Sequence, residues 1–352
     1  MADFPSHPDA VTTAWLGEVL GCAVSHVEWQ AIGTGQVGDS VRFALEYAGE
    51  AGPATLAAKF PAADETSRNT AAMFGLYRKE VEFYRQVAAK LSVRVPQVHF
   101  AEVDELGGDF ILLFEDLGPA RGGNQIAGCT LADAQAGIRQ AAAIHAPSMG
   151  NRTMLGAGWL QPPPGLGERV SAMYEQAQAI FRERYADTLE PELMRVCEEL
   201  AEARELWFLR DEPPQCLIHG DFRLDNMLFD IKDGSEEIAV LDWQTVALGN
   251  PMVDVGYFLG CGIGNDLRRQ HEGELLDLYC SEMTRRGVSL SRDAVWDDYV
   301  VGALHGVSTA VFSAAFVERT ERGDANFLSM ARGACGLALE HGSIEKLKER
   351  AK

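Results

Sequence analysis

CLIHGDFRLDNMLFDIKDGSEEIAVLDWQ, residues 216–244, is the stretch from which the fold of this chain is read. Two apolar runs, 226–231 and 238–242, flank the polar segment Lys232-Asp233-Gly234-Ser235, the pattern of a β-hairpin with a glycine in its loop. A turn centred on Gly234 sets Asn226 opposite Asp242, and directly opposed α-carbons lie roughly 4.5 to 5.5 Å apart. An amide oxygen and a carboxylate at that separation can share a hard divalent cation such as Mg2+, which takes oxygen ligands and keeps water or phosphate in its shell. Asp221 precedes the hairpin and places a second carboxylate beside this site, where it can accept a proton from a nucleophile.

The order Asp221-x-x-x-x-Asn226, followed by Asp242 after the next strand, resembles the kinase catalytic loop with its base Asp and metal-binding Asn, and then the metal-binding Asp of the next strand. His219-Gly220-Asp221 and Asp242-Trp243-Gln244 stand where protein kinases have His-Arg-Asp and Asp-Phe-Gly. Those variants resemble the aminoglycoside phosphotransferase and choline kinase-like superfamily of small-molecule kinases. The resemblance implies an α+β, bilobal protein-kinase-like fold. A small antiparallel-sheet N-lobe would occupy 1–114, a hinge 115–119, and a large, mainly helical C-lobe 120–352.

The preceding sequence fits that division. A strand at 26–32, the glycine segment Gly33-Thr34-Gly35-Gln36-Val37-Gly38 and a strand at 41–47 follow in order. A dinucleotide-binding turn must open a helix, whereas Val41, Phe43 and Leu45 alternate with polar or small residues, as in a strand. The resemblance makes Gly33, Gly35, Gly38 and Ser40 a flap over the nucleotide phosphates. A third strand, 55–60, carries Lys59 in Leu-Ala-Ala-Lys, similar to the kinase Val-Ala-Ile-Lys strand. On the helix expected over 70–91, Met73, Leu76, Tyr77, Tyr84 and Val87 share the face of Glu80, and Glu82 points away. Glu80 is therefore the expected partner of Lys59. Phe110–Phe114 runs into Glu115-Asp116-Leu117-Gly118-Pro119, where the resemblance implies that backbone groups of Glu115 and Leu117 read the adenine edge.

The net charge of −21, from 31 basic and 52 acidic side chains, argues against nucleic acid and anionic membranes as partners and weakly favours a cationic substrate. Seven scattered cysteines without a Cys-x-x-Cys pair indicate neither a disulfide frame nor a zinc site and suggest a reducing cytoplasm. No export signal or apolar run of membrane-spanning length is read from the sequence.

In the C-lobe, His145 reads as a hydrogen-bonded core histidine on a helix over 130–145. Asp254, in Pro251-Met-Val-Asp254, resembles the Asp that braces the catalytic loop through backbone amides. Trp296, Asp297, Asp298 and Tyr299 could line an acidic aromatic pocket, although packing with solvated acids is the simpler reading. The expected activity is ATP-dependent transfer of a phosphoryl group to a hydroxyl of a small molecule. Asp221 would be the base, Arg223 would steady the transferring phosphoryl, and Asn226 and Asp242 would hold Mg2+. The competing expectation is a catalytically silent nucleotide-binding pseudokinase or interaction module. No residue pattern fixes the acceptor or the oligomeric state.

Overall fold

Val41, Phe43 and Leu45 turn the period-two signal into a core face, at 2%, 0% and 8% exposure. A computed structural model describes residues 4–33, 38–49, 52–213, 215–317 and 319–351. Its strands are β1 (Val24–Ile32), β2 (Gly38–Tyr47), β3 (Thr55–Pro61), β4 (Val98–Val103), β5 (Phe110–Glu115), β6 (Arg121–Gly122), β7 (Cys216–Ile218), β8 (Met227–Asp230), β9 (Glu236–Val240) and β10 (Ala247–Gly249). The chain forms two compact units, one comprising Met1–Lys90, Arg94–Arg121 and Asp230–Val246, the other Leu91–Val93, Gly122–Phe229 and Ala247–Lys352. Residues 230–246 thus group with the N-terminal unit, whereas a division by sequence order puts them in the C-lobe.

In the first unit a five-stranded antiparallel sheet has the order β1-β2-β3-β5-β4. Val41 pairs with Ala58 and Phe43 with Leu56, and these side chains join Leu16, Ile111 and Leu113 in one core. Burying each large apolar side chain there contributes about 1.5–3 kcal/mol.

The helix expected over 70–91 is two helices, Glu65–Phe74 and Leu76–Gln86, broken at Gly75 with φ of 65°. The break resets the helical phase. Met73, assigned to the buried face, is 79% exposed, while Tyr77, Glu80, Val81 and Phe83 are buried.

The hairpin differs from expectation in its register. Ile231 bridges Glu236, which centres the turn between Asp233 and Gly234 and moves the pairing by one residue. Asp230, Lys232 and Asp233 adopt left-handed backbone (φ 53°, 52° and 58°), as does Gly234, so the turn uses non-glycine residues that a sequence pattern does not flag. Asn226 closes a 3-10 turn, Leu224–Asn226, before β8, and Asp242 lies beyond β9 with φ of 63°. Neither is a ladder residue, and the opposed pairing expected for them does not form.

The second unit is mainly helical. Its core joins helices Leu166–Tyr185, Pro191–Glu202, Leu304–Phe316 and Glu321–His341. The helix Met252–Tyr257 packs closely because Gly302 has no side chain: a Cβ there would lie 2.2 Å from the Met252 carbonyl oxygen. The helical run Arg292–Phe316 is long and apolar enough to cross a bilayer, a length the sequence reading did not assign. Its apolar window is 67% buried within the protein, as in a core helix. At Trp296, Asp297, Asp298 and Tyr299 the contacts are those of packing and paired charges. Asp297 pairs with Lys346 and Asp298 with Arg350, while Trp296 packs on Tyr299 and His341.

Candidate active site

In the first unit, Lys59 is the meeting point of two carboxylates. Its Nζ lies 2.7 Å from Glu80 Oε2 and 2.8 Å from Asp242 Oδ1. Burial alone would lower the lysine pKa, but Asp242 and Glu80 outweigh it and hold the ammonium above its usual range. Burial raises the Glu80 pKa, and Lys59 opposes that rise. Glu80 Oε1 also accepts the Trp243 backbone N–H at 3.3 Å. Trp243 is fully buried and stacks on Phe83, with ring centroids 3.8 Å apart and planes within 7°. The helix that carries Glu80 therefore fixes both Lys59 and the segment following Asp242. Glu82 instead bonds Gln86 on its own helix, so the choice of Glu80 agrees with the geometry.

Gly33 follows β1 with φ of 75°, and Gly38 opens β2 beside the lysine, where a Cβ would stand 3.2 Å from Lys59 Cε. Ser40 pairs with Lys59 across β2 and β3. A strand, β2, follows the glycine segment, where a dinucleotide turn would open a helix. Gly35 lies outside the described residues.

At the expected hinge, the Glu115 carboxylate takes Arg94 at 2.7 Å, Lys232 at 2.9 Å and the Gln97 N–H at 2.8 Å. Burial raises its pKa, and these partners override that and bring it down to about 2. The Glu115 backbone N–H donates to the Gln97 carbonyl, and the Leu117 carbonyl accepts the Lys232 N–H.

In the second unit, β7 pairs with β10 and delivers His219, Gly220 and Asp221. Asp221 Oδ1 accepts the Tyr257 hydroxyl at 2.8 Å, and Oδ2 accepts the Asn226 amide at 2.8 Å. Arg223 Nε lies 2.9 Å from the same carboxylate. Burial raises the Asp221 pKa, but Arg223, Tyr257, His219 and Asn226 together bring it below the ordinary value. Its side chain keeps 21% exposure, so a substrate can reach it. Tyr257 stays protonated, because burial and Asp221 push its pKa far up.

The loop is braced from beneath. Asp254, fully buried, accepts the N–H of His219 at 2.7 Å and of Gly220 at 2.9 Å. Burial raises the Asp254 pKa, and His145 and His219 more than offset that rise. His145 Nε2 meets Asp254 at 3.1 Å and Nδ1 meets the Tyr279 hydroxyl at 2.9 Å, which is a core role. His305 Nε2 donates to the Gly220 carbonyl at 2.7 Å, and burial keeps this histidine's pKa low.

Asn226 in the second unit and Asp242 in the first each carry a hard oxygen donor of the type Mg2+ selects. The Asn226 Nδ2 is spent on the Asp221 carbonyl and carboxylate, which leaves Oδ1 as the ligand atom. Among the described residues no three His, Cys, Asp or Glu side chains form a metal cluster.

Tyr257 and His305 were not singled out as site residues from the sequence. Tyr257 follows Asp254 by three positions on one helix and so shares its face, a usable signal. His305 has none, because its contact spans 85 residues.

A sequence profile of the phosphotransferase enzyme family, APH, matches residues 50–286, more than half of the chain. The chain belongs to the phosphotransferase enzyme family. This phosphotransferase is similar in structure to choline kinase from Cryptosporidium parvum Iowa II, with a TM-score of 0.54 and 13% identity over 92% of this chain and 91% of that one. The GDP and kanamycin complex of the aminoglycoside phosphotransferase APH(2'')-IIIa gives 0.52 and 14% over 97% and 99%. At these identities the likeness establishes the protein-kinase-like α+β fold. Acyl-CoA dehydrogenase family member 11 of Rattus norvegicus is 42% identical over 55 residues, 14% of this phosphotransferase and 7% of that protein. The chain thus matches only a small part of that relative.

Proposed function

We propose that this phosphotransferase transfers the γ-phosphate of ATP to a hydroxyl of a small molecule. The observation that carries this reading is the Asp221 carboxylate, ionised by Arg223, Tyr257 and Asn226 yet open to a substrate. A depressed pKa makes Asp221 a weak base. That suits phosphoryl transfer, where the bond to the leaving group is largely broken before the hydroxyl proton must move. Asp221 orients the hydroxyl and takes its proton late. Arg223, 2.9 Å from that carboxylate, steadies negative charge on the transferring group.

Lys59, held by Glu80, positions the α- and β-phosphates; Gly33, Gly35, Gly38 and Ser40 let backbone amides approach them; Glu115 and Leu117 read the adenine. Asn226 Oδ1 and the Asp242 carboxylate would each supply an oxygen ligand to Mg2+, which would offset the charge of the phosphates. Seven scattered cysteines suit a reducing cytoplasm, where we place the protein. The test is ADP release from ATP with diverse hydroxylated metabolites, with mass spectrometry of the product. ATP binding without transfer to any acceptor would instead identify a pseudokinase.

A further inference from the structure

The peptide between Gly220 and Asp221 is held at both ends. Its carbonyl oxygen accepts the His305 Nε2–H at 2.7 Å, and its N–H donates to His219 Nδ1 at 3.2 Å. His305 belongs to the helix Leu304–Phe316, 85 residues away in sequence, whereas His219 sits in the same loop as Asp221. Asp254 secures the N–H groups of His219 and Gly220, both upstream of this peptide. Turning about the Gly220 Cα–C bond would therefore carry Asp221 away and leave both Asp254 bonds intact. Glycine, here with φ of 80°, offers that rotation little resistance. His305 grips the peptide from outside the loop and opposes the rotation.

The same imidazole stands edge-on to the Tyr257 ring, with centroids 5.2 Å apart and planes at 84°. Tyr257 in turn donates its hydroxyl to Asp221 Oδ1 at 2.8 Å. The close approach of these segments depends on Gly306, where a Cβ would lie 2.5 Å from Cys261 Sγ and 3.2 Å from Tyr257 Cδ2. Two other partners of the Asp221 carboxylate, Arg223 and Asn226, lie within five residues of it in sequence and so travel with the loop. His305 thus bears on Asp221 through two intermediaries, the Gly220 carbonyl and the Tyr257 ring.

We propose that His305 is a positioning residue for Asp221, fixing the angle at which the carboxylate meets the acceptor hydroxyl. The role deepens the kinase reading above and rests on it. Phosphoryl transfer draws much of its rate from alignment, so a carboxylate free to swing lowers turnover while the nucleotide still binds.

The experiment measures ADP release by the full chain, with ATP and Mg2+, over a panel of sugars, amino sugars and amino alcohols, and compares variants on the compound turned over fastest. His305→Leu removes the donor, and His305→Gln restores an N–H at nearly the reach of Nε2. H305L should lower kcat about tenfold to a hundredfold and leave the KM for ATP within about twofold. H305Q should recover most of that loss. Adding Tyr257→Phe to H305L should cost less than the product of the two single losses, because both act on one carboxylate. His305→Asn, whose amide is one bond too short for the carbonyl, replaces H305L where the latter does not fold. A kcat unmoved by loss of the donor, or lowered equally in H305Q, overturns the positioning role and leaves the kinase reading intact. ATP binding with no transfer to any compound overturns both.

Discussion

Asp254 holds Gly220 in place: its Oδ1 accepts the Gly220 N–H at 2.9 Å while Oδ2 takes the neighbouring His219 N–H at 2.7 Å. One fully buried carboxylate thereby fixes the two peptides ahead of Asp221. Asp254→Asn turns one acceptor into a donor that faces an N–H. An unfolding free energy lower by about 1–3 kcal/mol is expected in urea titration, together with a fall in kcat larger than any change in nucleotide KM. A variant as stable and as active as wild type would remove Asp254 from the brace.

Asp221→Asn should lower phosphoryl transfer by roughly a hundredfold to ten-thousandfold and leave nucleotide affinity measurable by calorimetry. Its two oxygens each accept one bond at 2.8 Å, from Tyr257 and from Asn226; the amide keeps one acceptor for Asn226 and turns its NH2 to the Tyr257 hydroxyl, which can rotate to accept it, so the fold should persist. Turnover at the wild-type rate would refute its assignment.

Lys59→Met leaves Glu80 buried at 1% exposure without its cation. Removing one partner of a buried pair costs about 3–5 kcal/mol. The double variant K59M/E80Q, which also removes the stranded charge, should regain a measurable part of that loss. Strictly additive effects in a chemical-denaturation cycle would show that the two residues are not coupled.

The Glu115 carboxyl falls from an ordinary value of 4.5 to about 2 in the folded chain. A depressed pKa stabilises the fold above the unfolded value, and that stabilisation is lost as pH falls through the folded one. The stability difference between wild type and Glu115→Gln should thus be constant above about pH 5 and shrink as pH falls from about 4.5 to about 2. A difference independent of pH over that window would contradict the Arg94 and Lys232 contacts.

Much of the architecture was legible because it depends on local periodicity. Alternation at Val41, Phe43 and Leu45 marked the sheet, and helical phase separated Glu80 from Glu82, because both signals arise from side chains repeating on one face. The phase argument failed at Met73, where Gly75 breaks the helix that was read as continuous. The hairpin register was hidden because Asp230, Lys232 and Asp233 take left-handed backbone that glycine would have announced. His305 carried no sequence signal, since it owes its place to contacts between distant segments.

Trp243 gives the Asp242 segment a character that phenylalanine would not. Its indole lies flat on Phe83 with no exposed surface, and its ring N–H donates to the Val240 carbonyl at 3.3 Å. Swinging this segment outward would wet an aromatic surface of about 150–250 Å², an expense of about 4–6 kcal/mol. At about 1.4 kcal/mol per decade, such an excursion would occupy roughly one molecule in several thousand. Hydrogen exchange across 241–245 should accordingly be slow. Flux through such a catalyst would track how much of it is made and how much substrate arrives, with no resting shape to be unlocked first.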